Sequence, residues 1–311
     1  MIVGALSGLG LLLGIVRGLQ AGMLSLATPN VFFTSFCRAA PMDALVTSAL
    51  VFCCGAAVGS FLNVVIYRVP AGLSLLHPPS RCPRCETRLQ PYDNVPVLGW
   101  LWLKGRCRYC RAPISPRYPL IEAFTGALFL ATFWLVGLTW ATVGYWLLLS
   151  WLVALAFIDL DTLTLPNSLT QSGLGLGLVV STALPLLRGE PWPSPIEGLM
   201  GGVLGAVLGI WIFDLITIFA SAALGQTAMG GGDAKLAARL GAWLGWQGVL
   251  LSGFLACVVG AAVGGGAIAL KLISRRQPMP FGPFLAIGAV LTIFWGEALM
   301  GAYRALFFPT L

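Results

Sequence analysis

The chain is poor in charge. Charged residues make up 9% of its 311 residues and hydrophobic residues 58%, whereas a soluble domain carries roughly a quarter charged residues. We therefore expect most of the chain to lie in lipid. Its apolar runs are continuous rather than alternating, which favours transmembrane helices over a strand barrel. The net charge of +7 comes from basic residues grouped between these runs, and this indicates membrane orientation rather than nucleic-acid binding.

The sequence also lacks the motifs of several protease classes. It contains a single histidine, His77, so no His-Glu-x-x-His zinc-protease motif is possible, and no Gly-x-Ser-x-Gly motif occurs. We expect His77 to be a solvated loop residue. Carboxylates are therefore the better candidates for any hydrolytic activity.

The apolar runs predict eight membrane spans, and the fold class is an all-α polytopic membrane protein with a cytoplasmic zinc-binding loop. The runs cover 43–66, 120–137, 140–158, 169–187, 197–220, 234–246, 247–271 and 283–305. The sixth run is short, and its border with the seventh lies within 241–248 without a sharp position. Seven spans are the alternative.

One long polar stretch, 67–119, separates the first two spans. Its basic residues are Arg68, Arg81, Arg84, Arg88, Lys104, Arg106, Arg108, Arg111 and Arg117, against the acids Glu86 and Asp93. By the positive-inside rule this loop is cytoplasmic. Counting spans from it places 159–168 and 221–233 on the cytoplasmic side and 188–196 outside.

Four cysteines in this loop form two C-x-x-C pairs separated by 21 residues: Cys82 with Cys85, and Cys107 with Cys110. Two such turns supply the four-sulfur shell that zinc favours, and a closed shell predicts a structural rather than a catalytic ion. Two disulfides are the alternative, which a cytosolic location disfavours. The remaining cysteines lie in or near apolar runs and are expected to be packing residues: Cys37, Cys53, Cys54 and Cys257.

Acids inside or beside apolar runs are costly and mark candidate functional sites. Asp159 and Asp161 end the third run, and Asp233 follows the glycines at 230–232. Each has a plain interpretation as a helix-end residue or a helix cap. Two carboxylates on one membrane face can also form a catalytic pair, in which one acts as general acid while the other activates water. Asp214, deep in the fifth run, fits neither pattern.

Taken in order, these segments resemble the bacterial type IV prepilin peptidases, which are bifunctional leader peptidases and N-methyltransferases. The resemblance covers about 43–287. Besides the two cysteine pairs, it is carried by 59–68, 105–108, 114–119, 159–166, 232–236 and 280–284.

The resemblance implies that Asp159 and Asp233 are the catalytic aspartates, with Asp161 a solvated neighbour. It further implies that Gly230, Gly232 and Lys235 belong to a signature turn and that Cys82, Cys85, Cys107 and Cys110 bind zinc. Two departures from the family pattern stand out: 225–228 lacks the lysine and glutamate common there, and Asn167 stands where an aspartate is common.

The implied activity is cleavage of prepilins and pseudopilins after a glycine, at the cytoplasmic face of the bacterial inner membrane. The new N-terminal amine is then methylated with S-adenosylmethionine as donor. No residue is assigned to the donor, because no glycine-rich nucleotide motif is present. A peptidase without methylation and a noncatalytic membrane scaffold of the secretion or pilus machinery are the alternatives.

Four regions follow from these predictions: 42–66 as the first transmembrane helix, 67–119 as the zinc loop associated with methylation, 120–311 as the membrane aspartic peptidase, and 1–41 as an uncertain extension. The extension contains a further apolar stretch. It can be an extra span, a signal-like segment, or a region upstream of a start at Met42.

Overall fold

A computed structural model describes residues 41–225, 230–272, 274 and 279–308. Except for its last residue, the predicted extension 1–41 lies outside these residues. Over them the chain is helical, and no named strand occurs in the part described. This is the expected result for a lipid-embedded chain, because a helix satisfies its own backbone hydrogen bonds where no water is available.

The long helices follow the predicted apolar runs closely. They are α1 (Pro41–Arg68), α3 (Arg117–Val136), α4 (Trp140–Thr162), α5 (Asn167–Leu187), α6 (Ser194–Leu224), α7 (Gly231–Ala269) and α8 (Gly282–Phe307). A short 3-10 helix (Pro91–Asn94) and the five-residue α2 (Leu98–Trp102) lie in the polar loop between α1 and α3. The all-α membrane fold class is therefore confirmed.

The number of spanning helices is seven in the described part of the chain, one fewer than the eight runs predicted. The difference arises at α7, which joins the predicted sixth and seventh runs into 39 helical residues interrupted at Gly245 (φ 70, ψ −180). A straight helix of that length would measure about 58 Å, far more than the roughly 30 Å hydrocarbon core. Glycine tolerates the positive φ that breaks it.

The chain divides into two compact units. Among the described residues, the N-terminal unit comprises 41–169 with 274 and 279–286, and the C-terminal unit comprises 170–225, 230–272 and 287–308. Within the N-terminal unit, α1 and α3 approach closely: a Cβ added to Gly55 would lie 2.8 Å from Phe129 and 2.9 Å from Gly126. The Phe129 ring stacks on Trp146 of α4 at 4.9 Å between centroids, and the Trp146 indole N–H donates to the Phe129 carbonyl.

The C-terminal unit is built around α6 and α7. Ala206, Ala238 and Ala242 form a small buried cluster between these two helices. The indole N–H of Trp243 donates to the Gly173 carbonyl of α5 at 2.8 Å, and the Ser252 hydroxyl donates to Thr292 of α8 at 3.0 Å. Small residues and interhelical hydrogen bonds are the usual means by which helices associate in lipid.

Three of the four cysteines expected to be packing residues are exposed in the structure, and the fourth, Cys37, lies outside the described residues. Cys53, Cys54 and Cys257 lie on exposed surfaces of α1 and α7. The prediction was wrong because a small apolar thiol is as well accommodated by lipid as by a protein core, so residue type alone does not distinguish the two.

Candidate functional site

The two cysteine pairs of the loop form two knuckles with the same backbone geometry. We call residues 82–87 the first knuckle and 107–112 the second. In the first knuckle, the Cys82 N–H donates to the Thr87 carbonyl, five residues on, and the Glu86 N–H donates to the Cys82 carbonyl, four residues back. The second knuckle repeats both bonds at the same separations. The residue after each second cysteine has a positive φ, 56° at Glu86 and 59° at Arg111.

The knuckles bring the four predicted ligands together. All four sulfurs lie within 4.8 Å of one another. The Sγ atoms of Cys82 and Cys110 are 3.7 Å apart, and those of Cys85 and Cys107 are 4.0 Å apart. A tetrahedral shell with Zn–S bonds of about 2.3 Å places its sulfurs about 3.8 Å apart, whereas a disulfide requires about 2.05 Å. The geometry fits a metal ion, and the alternative of two disulfides does not fit it.

The thiols of this cluster do not titrate alike. Hydrogen bonds from the Thr87 hydroxyl and backbone N–H lower the pKa of Cys85 to about 6. Backbone N–H groups of Cys110 and Tyr109 lower the pKa of Cys107. At Cys110 the hydrogen bond from the Ala112 N–H also lowers the pKa. Burial and hydrogen bonds from the other thiols outweigh it and raise the pKa of Cys110 to about 11. A cation bound between the four sulfurs would favour their thiolate forms.

An ion pair between the exposed Arg108 and the buried Asp93 connects the second knuckle to the preceding 3-10 helix. The Nε of Arg108 donates to both carboxylate oxygens of Asp93, at 3.0 and 3.1 Å, and the Asp93 side chain is 1% exposed. This contact raises the pKa of Arg108. The Arg108 guanidinium also lies over the Tyr92 ring at 5.0 Å. Bidentate pairing of this kind fixes orientation as well as adding energy.

Asp159 lies one turn before the end of α4. Leu163, in the left-handed conformation, caps the helix by donating its N–H to the Asp159 carbonyl. The Asp159 side chain is 5% exposed, and its Oδ2 accepts the backbone N–H of Gly282 at 2.9 Å. Gly282 begins α8, so the N-terminus of a helix faces this carboxylate. The N-terminus is the end of a helix that favours negative charge.

Asp161, two residues on, has different surroundings. It is half exposed, as expected for a solvated neighbour, but it also forms a bidentate ion pair with Arg117, with both N–O distances 2.7 Å. The Arg117 guanidinium further donates to the Phe157 carbonyl and lies over the Phe157 ring. The start of α3 is thereby connected to the end of α4.

Asp233 is buried in the first turn of α7, and its N–H donates to the Gly230 carbonyl at 3.1 Å. Gly230 is extended, with φ −77 and ψ 146. Nothing lies within 4 Å of a Cβ added to Gly231, so the glycines leave room for another backbone to approach Asp233. Lys235, the last residue of the predicted signature turn, is exposed.

Asp159 belongs to the N-terminal unit and Asp233 to the C-terminal unit, and their pairing stays a prediction of the sequence. Asp214 is exposed on α6, and His77 is exposed in the polar loop, as expected.

Glu122 is a buried carboxylate that the sequence motifs missed. It lies in the second turn of α3, and its Oε2 accepts the Val97 backbone N–H at 2.7 Å. The signal that finds it is an acid inside the apolar run 120–137, the same signal that drew attention to Asp159. Gly282, which contacts Asp159, carried no signal beyond its place in 280–284.

Two family matches together cover most of the described chain. Residues 53–136 match the bacterial peptidase A24 N-terminal domain, and residues 146–265 match the type IV leader peptidase family. The first range holds both knuckles and Glu122, and the second holds Asp159 and Asp233. No solved structure matches the chain.

Curated relatives extend over nearly the whole length. A prepilin leader peptidase/N-methyltransferase of Aeromonas hydrophila is 39% identical over 294 residues, covering 82% of this chain and 93% of the relative. Proteins of the same name are 37% identical in Stutzerimonas stutzeri, over 84% of this chain and 94% of the relative, and 36% identical in Pseudomonas aeruginosa, over 80% and 90%.

Proposed function

Since the chain belongs to the type IV leader peptidase family, we propose that it removes the basic leader from prepilins and pseudopilins after a glycine and then methylates the new N-terminal amine. The observation that carries the proposal is the buried, hydrogen-bonded carboxylate of Asp159 at the end of a membrane helix, within the range that matches the peptidase family.

Peptide cleavage requires a base for water and an acid for the leaving amine. We assign these roles to Asp159 and Asp233, one ionised and one protonated. Water attacks the glycine carbonyl and gives a proton to the ionised carboxylate, while the protonated one donates to the amine as the C–N bond breaks. The Gly282 N–H holds Oδ2 of Asp159, which leaves Oδ1 to act on the water.

The glycines beside Asp233 support this assignment. Gly230 is extended and Gly231 has open space around it, so an extended peptide can pass this aspartate without meeting a side chain. Lys235 is exposed nearby along the helix, and we include it with Gly230 and Gly232 in the turn that presents the acid.

The metal of the four-cysteine cluster is proposed to be Zn²⁺, since four thiolates at tetrahedral spacing suit it. Its role is to fold the loop: Cys82 and Cys107 are buried with Ala112 in a cluster too small to be stable alone. All four ligand positions are used, so no chemical step is assigned to the metal.

Methylation is proposed to take its methyl group from S-adenosylmethionine. The amine lone pair forms the new N–C bond, the C–S bond breaks with its electron pair left on sulfur, and the amine loses a proton to solvent. We place this activity with the loop at 67–119, because the peptidase acids lie in the other family match.

The protein is proposed to lie in the bacterial inner membrane with its aspartates and basic loop facing the cytoplasm. The seven membrane-capable helices in the described part of the chain support a multi-pass protein. The basic residues of 67–119 support the orientation, because a basic loop stays on the cytoplasmic side. A prepilin would keep its apolar helix in the bilayer while its basic leader remains inside.

The test is incubation of the purified protein in nanodiscs with one prepilin and a labelled methyl donor, with cleavage and label transfer read separately. We expect both. Cleavage without label transfer would support a peptidase that does not methylate. Absence of both activities would support a noncatalytic scaffold.

A further inference from the structure

Val97, in the loop between α1 and α3, adopts a backbone conformation that is unusual for its residue type. Its φ is 61° and its ψ −53°, and the Leu98 N–H donates to the Pro96 carbonyl at 2.6 Å across it. This is a γ-turn with a positive central φ, a rare and strained turn. A branched side chain at Cβ makes the strain greater, so the conformation persists only where its surroundings impose it.

Glu122 is the group that imposes it. The Val97 N–H donates to Oε2 of Glu122 at 2.7 Å. Gly59 packs so closely that a Cβ there would lie 2.8 Å from the Cα of Glu122. The carboxylate is therefore fixed between α1 and α3, and it fixes Val97 in turn.

The residues that follow Val97 are held against Gly105 and Ile114, which flank the second knuckle. The Trp100 indole N–H donates to the Ile114 carbonyl at 3.0 Å, and a Cβ at Gly105 would lie 2.8 Å from the Trp100 ring. Residues 95–105 thus run from a buried carboxylate in the membrane helices to the cysteine cluster. They contact Glu122 at one end and Ile114, just beyond the knuckle, at the other.

Strained backbone of this kind concentrates at functional sites, where its cost is tolerated because the conformation is needed. The peptidase acids lie in 146–265, whereas the Val97 turn, Glu122 and the knuckles lie in 53–136. Resting on the proposed function, we propose that Glu122 is a positioning residue for methyl transfer. It holds 95–105 in the conformation that methylation requires and takes no part in peptide cleavage.

The experiment compares Glu122→Gln with Glu122→Leu in the full-length protein, using one prepilin and labelled S-adenosylmethionine. The glutamine keeps an oxygen to accept the Val97 N–H, and the leucine does not. Because the Val97 N–H is partly buried and would lose its acceptor, we expect Glu122→Leu to lower the kcat of methylation by about tenfold or more. Glu122→Gln should stay within about threefold. Cleavage and metal content should be unchanged in both.

A second substitution tests whether Glu122 affects methylation through the Val97 turn. Glycine adopts a positive φ without strain, so Val97→Gly should restore methylation in the Glu122→Leu background. The matched control is Val95→Gly in the same background, because Val95 has an ordinary φ of −66° and gains nothing from glycine. Restoration by Val97→Gly alone is the expected result.

Three results would overturn the inference: full methylation by Glu122→Leu, equal restoration by both glycine variants, or a joint loss of metal, cleavage and methylation. The last would mean that Glu122 serves folding alone. If the unsubstituted protein neither cleaves nor methylates, the proposed function fails first, and this inference fails with it.

Discussion

Asp159 and Asp161 are two residues apart in the same helix, yet their side chains have different partners. Asp159 is buried and accepts a backbone N–H at the start of α8, whereas Asp161 is half exposed and pairs with Arg117. An exposed ion pair typically contributes about 0–1 kcal/mol to stability. The contrast supports a catalytic role for Asp159 and a supporting one for Asp161.

Asp159→Asn and Asp233→Asn should each lower prepilin cleavage by at least about 100-fold, because an amide cannot exchange the proton that general acid–base catalysis requires. Gel-resolved cleavage at equal amounts of membrane-inserted protein measures the effect. The matched control is Asp161→Asn, which we expect to retain most activity. Retained cleavage in either of the first two variants would remove that aspartate from the site.

Gly282→Ala should slow cleavage by about tenfold, since a misplacement of about 1 Å can cost up to about 100-fold. A Cβ at Gly282 would lie 2.7 Å from Oδ2 of Asp159, so the carboxylate must move. Gly301→Ala is the control: it lies in the same helix with nothing within 4 Å of the added Cβ. Equal kcat values for the two variants would count against the contact.

At the scale of elements, the two knuckles are the best-predicted feature of the chain. C-x-x-C spacing is a local property, so the sequence alone placed four sulfurs together, and the structure agrees. The break at Gly245 falls within 241–248, where the sequence predicted the border between the sixth and seventh runs.

Purified protein should contain about one zinc ion per chain, since four thiolates complete one shell. Cys82→Ser should lower the zinc content, expose 81–111 to protease and reduce methylation, while cleavage of prepilin continues. Metal analysis and limited proteolysis measure the first two effects. Cys257→Ser, outside the cluster and exposed, is the control. Unchanged zinc in Cys82→Ser, or cysteines oxidised in pairs, would contradict a metal-folded loop.

At the scale of the whole molecule, the sequence predicted what depends on local pattern: membrane helices and the grouping of the four loop cysteines. It did not predict contacts between distant segments. The Asp159–Gly282 bond joins residues 123 apart, and the Glu122–Val97 bond joins a membrane helix to a loop 25 residues away. Neither pair has a spacing that a helix or a turn would impose, so both depend on how the helices pack.

Sidedness and order of reaction can be tested together in membranes. A cysteine replacing Thr162 should react with a membrane-impermeant thiol reagent only after the cytoplasmic side is opened, whereas one replacing Glu190 should react from outside. The background keeps the four knuckle cysteines and lacks the other four, and labelled positions are read by mass spectrometry. Methylation should require prior cleavage, because the amine does not exist before it. Labelling of position 162 from outside, or methylation of uncleaved prepilin, would contradict this arrangement.

The Asp159–Gly282 bond also has a consequence for biosynthesis. The ribosome must add 123 residues after Asp159 before Gly282 exists, which takes about 6 to 25 seconds at about 5–20 residues per second. During that interval the Asp159 carboxylate has no hydrogen bond from the N-terminus of α8. We expect a nascent chain stalled before residue 282 to be inserted but inactive, so that the enzyme gains its peptidase activity only as α8 enters the membrane.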